Sequence, residues 1–210
     1  MLSKPTFIEE ELLEAQGYRL IAGLDEAGRG ALAGPVVAAA VILPCRLETP
    51  WLSQVRDSKL LNPPKRELLF HYIHEIAIST GIGVVRHEVI DAQGIIKATR
   101  LAMQLAIDQL SPAPESLLID YMLLPEVKLT QKGITNGDGL CFSIACASII
   151  AKVTRDRLMV EMDKIYPDYG LAQHKGYGTE RHMSCLRRLG PSPIHRRSFQ
   201  PVKDIINQEK

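Results

Sequence analysis

Apolar and polar positions switch between helical and strand-like spacing along the chain, and those switches mark its elements. Phe7 to Ala15 carries a short amphipathic helical pattern that ends at Gly17. Tyr18 to Asp25 and Val36 to Leu43 read as strands. The second is an unbroken apolar run, as in a strand covered on both faces. Pro63-Pro64 opens a helix that runs to about Ser79, since proline fits a first helical turn. Gly81 to His87 reads as a third strand, Leu117 to Tyr121 as a short buried one around Asp120, and Val127 to Ile134 as another. Val89 to Leu110 is helical, with Ile95, Ala98, Leu101, Ala102, Leu105 and Ala106 on one stripe. Phe142 to about Ile165 is a long helix whose small residues, Ala145, Ala147, Ser148 and Ala151, let it lie close against a neighbour. Thr179 to Leu189 is a further helix, stopped by Gly190-Pro191. Early strands followed by alternating helices predict a mixed α/β sheet flanked by helices, with only helices and loops after the long helix.

Composition narrows the class. The 210 residues suit one large domain or a domain with a modest appendage. A chain of this size buries roughly 70% of its unfolded surface, so neither a disulfide nor a structural metal is needed for a core. Cys45, Cys141, Cys146 and Cys185 have no C-x-x-C spacing, which excludes a zinc ribbon or redox motif and fits a reducing cytoplasm. Glu9, Glu10, Glu11 and Glu14 stand where a targeting peptide needs cations. The apolar run Val36 to Leu43 is too short to span a bilayer. A soluble, cytoplasmic, monomeric protein is expected. Net charge is only +1, but it is unevenly spread: residues 1–150 hold 13 Lys and Arg against 17 Asp and Glu, and residues 151–210 hold 12 against 7. An acidic centre beside a basic surface suits a metal-dependent enzyme acting on a polyanion, although chance asymmetry is an equal alternative.

Asp25 and Glu26 end the first predicted strand and lead into Gly28-Arg29-Gly30. Adjacent carboxylates at a strand end carry a desolvation penalty that a hard divalent cation would offset. Glycines beside a guanidinium let backbone amides approach a phosphodiester. Asp120 closes an apolar strand and Asp138 sits in Asn136-Gly137-Asp138-Gly139; each alone is an ordinary turn residue. The grouping of all four acids is what points to phosphoryl-transfer chemistry. Lys152 and Asp156 at i,i+4 read first as an ordinary surface pair, and Asp57-Ser58-Lys59 reads first as a solvated loop, with a phosphate contact as the alternative. His174 to Thr179 has glycines around Tyr177, and His195-Arg196-Arg197 is a basic cluster; each is either a ligand-facing loop or plain surface.

The blocks GLDEAGRGALAGPVVAAAVILP, DSKLL, LLIDY, NGD, SIIAKVTRD, QHKGYGT and HRRSF, in this order over residues 19–202, closely resemble bacterial ribonuclease HII. The resemblance implies a ribonuclease H-like fold: a five-stranded mixed sheet between helices, with residues 1–165 as catalytic core and 166–210 as a small C-terminal helical part. It implies endonucleolytic cleavage of RNA in RNA–DNA hybrids, and 5′ of single ribonucleotides embedded in duplex DNA, leaving 5′-phosphate and 3′-hydroxyl ends. Asp25, Glu26, Asp120 and Asp138 would hold two ions of Mg2+ or Mn2+. Gly28, Arg29 and Gly30 would read the ribonucleotide through its 2′-hydroxyl, and Tyr177 would stack at the RNA–DNA junction. Lys59, Lys152, Arg196 and Arg197 complete the expected substrate contacts. Tyr121 stands where the family usually has glycine, Asn136 replaces a lysine and Ala31 a common proline. A type-three ribonuclease H would normally carry an extra N-terminal domain, whereas the first predicted strand here starts at Tyr18. A non-catalytic nucleic-acid-binding module would have no use for four acids that repel phosphate.

Overall fold

Residues 4–45 and 47–208 are described by a computed structural model; residues 1–3, 46, 209 and 210, which include both ends of the expected core and C-terminal part, lie outside it. Helix α1 (Ile8–Ala15) precedes strands β1 (Ile21–Ala27) and β2 (Val36–Ile42), helix α2 (Pro63–Ile76), strand β3 (Ser79–Val85) and helices α3 (His87–Gln93) and α4 (Ile95–Ile107). Strands β4 (Ser116–Asp120) and β5 (Thr130–Ile134), the long helix α5 (Phe142–Ile165) and helices α6 (Leu171–His174), α7 (Glu180–Leu189) and α8 (Gln200–Gln208) follow. The sheet has five strands in the order β3-β2-β1-β4-β5; β2 is antiparallel to β1 and β3, while β4 is parallel to β1 and β5. This is the mixed sheet the sequence predicts.

Strand alternation sorts the core into two layers. Ala22, Leu24, Ala38, Ala40, Leu117 and Ile119 face α4 through Ala98, Ala102 and Met103. Ala27, Ala39 and Val41 face α2 and α5 through Leu69, Ile73 and Ala147. Gly23 sets the closest approach: a Cβ there would collide with the backbone of Ser143, so α5 can lie directly on β1. The small residues along α5 serve the same contact, since Ala145, Ala147, Ser148 and Ala151 are all buried. A third cluster joins Leu32, Ala33 and Met159 to Leu171, Leu186, Ile194 and Val202 from the C-terminal helices and loops. Among the described residues no helix is long and apolar enough to cross a membrane.

Several boundaries differ from the sequence expectation. β1 starts at Ile21 rather than Tyr18, because the Arg19 and Leu20 amides donate to Glu115 Oε2 instead of a strand ladder. It also runs on to Ala27, so Asp25 and Glu26 lie inside the strand and not at its end. The predicted 89–110 helix is two helices, broken at Gly94 with φ 82°. The apolar stripe is also narrower than expected: Ala98, Ala102 and Ala106 are buried, but Leu101 and Leu105 are each 38% exposed. The third strand ends at Val85, and His87 already belongs to α3. α2 ends at Ile76, where Ala77 turns extended to enter β3. β5 begins at Thr130 rather than Val127, because the Gln131 side chain bonds Leu124 and Val127 and holds 124–127 as a loop.

Tyr121 takes the left-handed conformation with φ 64° and is 66% exposed. The chain therefore uses at this point the backbone that a glycine would favour, and keeps Asp120 in place with a tyrosine. Left-handed geometry costs an L-residue roughly 1–2 kcal/mol, and glycine's extra chain entropy costs about 0.5–1 kcal/mol. Tyr121→Gly is expected to raise the melting temperature by about 2–4 °C; a thermal melt checks this, and a lower Tm would refute it.

Candidate active site

The β1–β4 register aligns Leu24 with Ile119, both on the α4 face. The next residues on each strand, Asp25 and Asp120, therefore turn together toward α5. α5 meets them with Ser148, which hydrogen-bonds the Asp25 carboxylate and lies 2.9 Å from Ser58 Oγ. Asp25 Oδ1 also accepts the Glu26 amide at 2.7 Å. Asn136, left-handed at φ 57°, turns the chain so that the Gly137 amide donates to Asp120 Oδ1 at 2.8 Å. That bond brings the short turn Gly137–Gly139, and with it Asp138, to the rim of the same cluster.

Electrostatics disfavours this grouping in the bare protein. Burial, then repulsion by Glu26 and Asp120, raises the Asp25 carboxyl well above its ordinary range. Burial also raises Glu26, against the pull of Arg29, whose Nη1 lies 3.2 Å from Glu26 Oε1. Asp120 is raised by burial in spite of the Gly137 amide, and Asp138 is pushed up to about 6 by burial and by Asp57. Burial pulls Lys59 down, but Asp57, Asp138, Asp25 and Asp120 outweigh it and the net shift is upward. Glu26 Oε2 is buried without a hydrogen-bond partner. An orphaned carboxylate oxygen among mutually repelling acids fits a hard divalent cation. No three His, Cys, Asp or Glu side chains among the described residues form a ready ligand cage.

Asp25, Glu26, Gly28, Arg29, Gly30, Lys59, Asp120, Lys152 and Tyr177 line one cleft of about 610 Å³. Asp138 lines the neighbouring cleft with Lys4, Arg56 and Asp57, and is linked to the first by Lys59 Nζ, 3.8 Å away. Lys152 Nζ bonds Asp156 at 2.7 Å and stands 5.4 Å from the centre of the Tyr177 ring, so the helical pair is also part of the cleft wall.

Two buried arginines hold the 28–35 loop beside the acids. Arg155 donates to Pro35 O, Lys175 O and Ala33 O at 2.9, 2.9 and 3.1 Å, and its guanidinium lies 5.2 Å from the Tyr177 ring centre. Gly28, at φ 94°, packs so tightly on it that a Cβ would collide with the guanidinium. Arg196 donates to Arg29 O, Gly34 O and Pro35 O at 2.8, 3.0 and 3.1 Å. This corrects the reading of Arg196 as a phosphate contact: it is 0% exposed and its donors are spent on carbonyls. His195 of the same basic cluster is buried too, and burial pushes its pKa down to about 4. Arg197 is exposed, but it does not line the cleft, and its amide is held by Asp91 Oδ2 at 3.0 Å.

Sequence reasoning missed Arg155, named Ser58 only as part of the Asp57–Lys59 loop and gave Ser148 only a packing role. Arg155 had a signal: with Ala151 and Met159 it falls on one i,i+4 row of α5, and all three are buried.

A family model described as Ribonuclease HII matches residues 22–202. The Ribonuclease HII of Dehalococcoides mccartyi is 58% identical over 203 residues, covering 97% of this chain and 96% of that protein. Among solved structures, the ribonuclease H2 of Pyrococcus horikoshii OT3 has a TM-score of 0.73 at 25% identity, over 90% of this chain and 97% of that one. Bst-RNase HIII in complex with Mn2+ has a TM-score of 0.65 at 20% identity, over 92% and 71%, and shares the ribonuclease H-like fold. With a sequence match of this extent on top of the common fold, the chain belongs to the ribonuclease HII family.

Proposed function

We propose that this ribonuclease H cuts the RNA strand of RNA–DNA hybrids and also cuts 5′ of a single ribonucleotide embedded in duplex DNA, leaving 5′-phosphate and 3′-hydroxyl ends. The observation that carries the reading is the buried acidic cluster, with its unpartnered Glu26 oxygen, opening into the cleft that Gly28, Gly30 and Tyr177 also line. Asp25, Glu26, Asp120 and Asp138 would hold two Mg2+ or Mn2+ ions. When bound, such ions neutralise charge on the phosphate and lower the pKa of the attacking water.

The chain's own groups do the rest. Gly30 is exposed and has open space where a side chain would stand, so the sugar edge of a nucleotide can reach the backbone there. A backbone reader at that distance discriminates by the 2′-hydroxyl. Lys59 and Lys152, on the cleft wall, attract the scissile phosphate toward the acids. The half-buried Tyr177 ring offers a stacking face for the nucleotide beside it. Residues 1–165 supply the acids in this reading, and residues 166–210 complete the substrate face through Tyr177. The four free cysteines support a cytoplasmic location.

Cleavage of a duplex carrying one ribonucleotide, mapped at nucleotide resolution with and without Mg2+, tests the reading. A single magnesium-dependent cut 5′ of the ribonucleotide is expected; uncut duplex, or cuts within the DNA, would overturn it. Tyr177→Ala is expected to slow that cut about 5- to 100-fold, since stacking is worth roughly 1–3 kcal/mol. Long hybrids should suffer less, because further 2′-hydroxyl contacts compensate, and Tm should fall by only a few degrees. Unchanged rates on both substrates would remove Tyr177 from the site.

A further inference from the structure

Behind Tyr177 three histidines form a buried chain that has no contact with the acids: His174, His182 and His195 are 8%, 0% and 1% exposed. Their protons follow from their partners. His182 Nδ1 lies 3.0 Å from Tyr177 O, a group that only accepts, so Nδ1 carries the proton and Nε2 is bare. His195 Nε2, 3.0 Å from His182 Nε2, must then be the donor. That leaves His195 Nδ1 bare, where it accepts the Ser192 amide at 3.0 Å. His174 stacks on His182 at 4.2 Å, donates from Nε2 to Tyr169 O and accepts the Gly176 amide at Nδ1. Every ring nitrogen is matched, and burial pushes His182 and His195 down to about 4, so both are neutral near pH 7.

The backbone gives this chain a target. The 31–34 loop lies between two segments: Leu32 N donates to Gly176 O and Gly34 N to Ile194 O, while Arg196 N donates to Leu32 O. Ala31 pairs with Tyr177 and Ala33 with His195. The His182–His195 bond ties the two outer segments directly to each other and ends on the carbonyl of Tyr177 itself. Apolar side chains would fill the same space, with Leu186 and Ile194 close by, without the cost of burying two imidazoles.

We propose that His182 and His195 are positioning residues that fix Tyr177 relative to the Gly28–Gly30 turn, and thereby set the preference for a single ribonucleotide over a long hybrid. This rests on the reading of Tyr177 as the residue that stacks at the junction. The test is a double-mutant cycle on the full chain with both substrates, read as the ratio of the two cleavage rates. His195→Phe removes the donor at similar volume and is expected to lower the single-ribonucleotide to long-hybrid ratio about 5-fold, a typical coupling between contacting residues. His195→Gln, whose amide can donate to His182 Nε2, is expected to restore most of it, which a pure packing role would not do. In a Tyr177→Ala background, His195→Phe should leave the ratio unchanged. Additive losses would overturn the inference and leave the Tyr177 reading intact. If Tyr177→Ala alone leaves the ratio at its wild-type value, that reading fails first and the inference with it. Should His195→Phe not fold, His195→Asn, whose shorter amide cannot reach His182, takes its place in the cycle with the same expected outcomes.

Discussion

Asp25→Asn is expected to abolish cleavage while making the metal-free protein more stable. The two effects share one cause. Asp25 is 4% exposed and faces Glu26 and Asp120, so its charge opposes folding until a cation compensates it. A neutral amide keeps the shape and the Ser148 contact but removes a cation ligand, and a loss of about 10³-fold in rate is in proportion to the electrostatic terms that dominate such sites. The sign of the pH effect follows from the raised pKa. Below the ordinary value of 3.8 both folded and unfolded forms bind the proton, and the penalty is absent. Above it the unfolded chain releases the proton first, so stability falls with rising pH until the raised folded pKa is passed. In EDTA the wild type should therefore lose Tm with rising pH more steeply than Asp25→Asn. Added Mg2+ should stabilise the wild type by about 2.7 kcal/mol at 100 times the dissociation constant, raising its Tm, and move the variant far less. Full activity in Asp25→Asn would remove this residue from the metal site.

Arg155→Ala is expected to be the most destabilising of the single changes considered, at about 3–5 kcal/mol, the range for breaking a buried charged network. Ala33 O, Pro35 O and Lys175 O would each lose a donor, and the side chain's volume would become a cavity. Arg155→Lys should recover little, because one ammonium cannot span three diverging carbonyls. Gly28→Ala should also destabilise, and combined with Arg155→Ala the losses should fall short of their sum, since the clash partner is gone. Urea unfolding of the four proteins measures this; a cost below about 1 kcal/mol for Arg155→Ala would mean that the loop holds itself.

The local pattern carried the elements and the first acids. Val36 to Ile42 is a strand because every one of its residues is buried, and the small face of α5 is small because β1 lies under it. Asp25 beside Asp120 was beyond any local pattern, since it depends on β4 pairing with β1 across a long crossover. Chemistry marked the Gly28–Gly30 turn for phosphate, grouped Asp138 with the other acids and left Tyr177 between a ligand-facing loop and plain surface; their specific roles came only from the family resemblance. Arg196 misled for a plain reason: a cation in a basic cluster is usually exposed, and only a full set of carbonyl acceptors makes its burial tolerable.

The bond from Arg196 to the carbonyl of Arg29 spans 167 residues of sequence. During synthesis all four acids leave the ribosome well before the side chain that fastens the turn beside them. A nascent chain that has not yet released Arg196 therefore presents its carboxylates next to an untied loop, and nuclease activity is expected to switch on only after Arg196 has emerged.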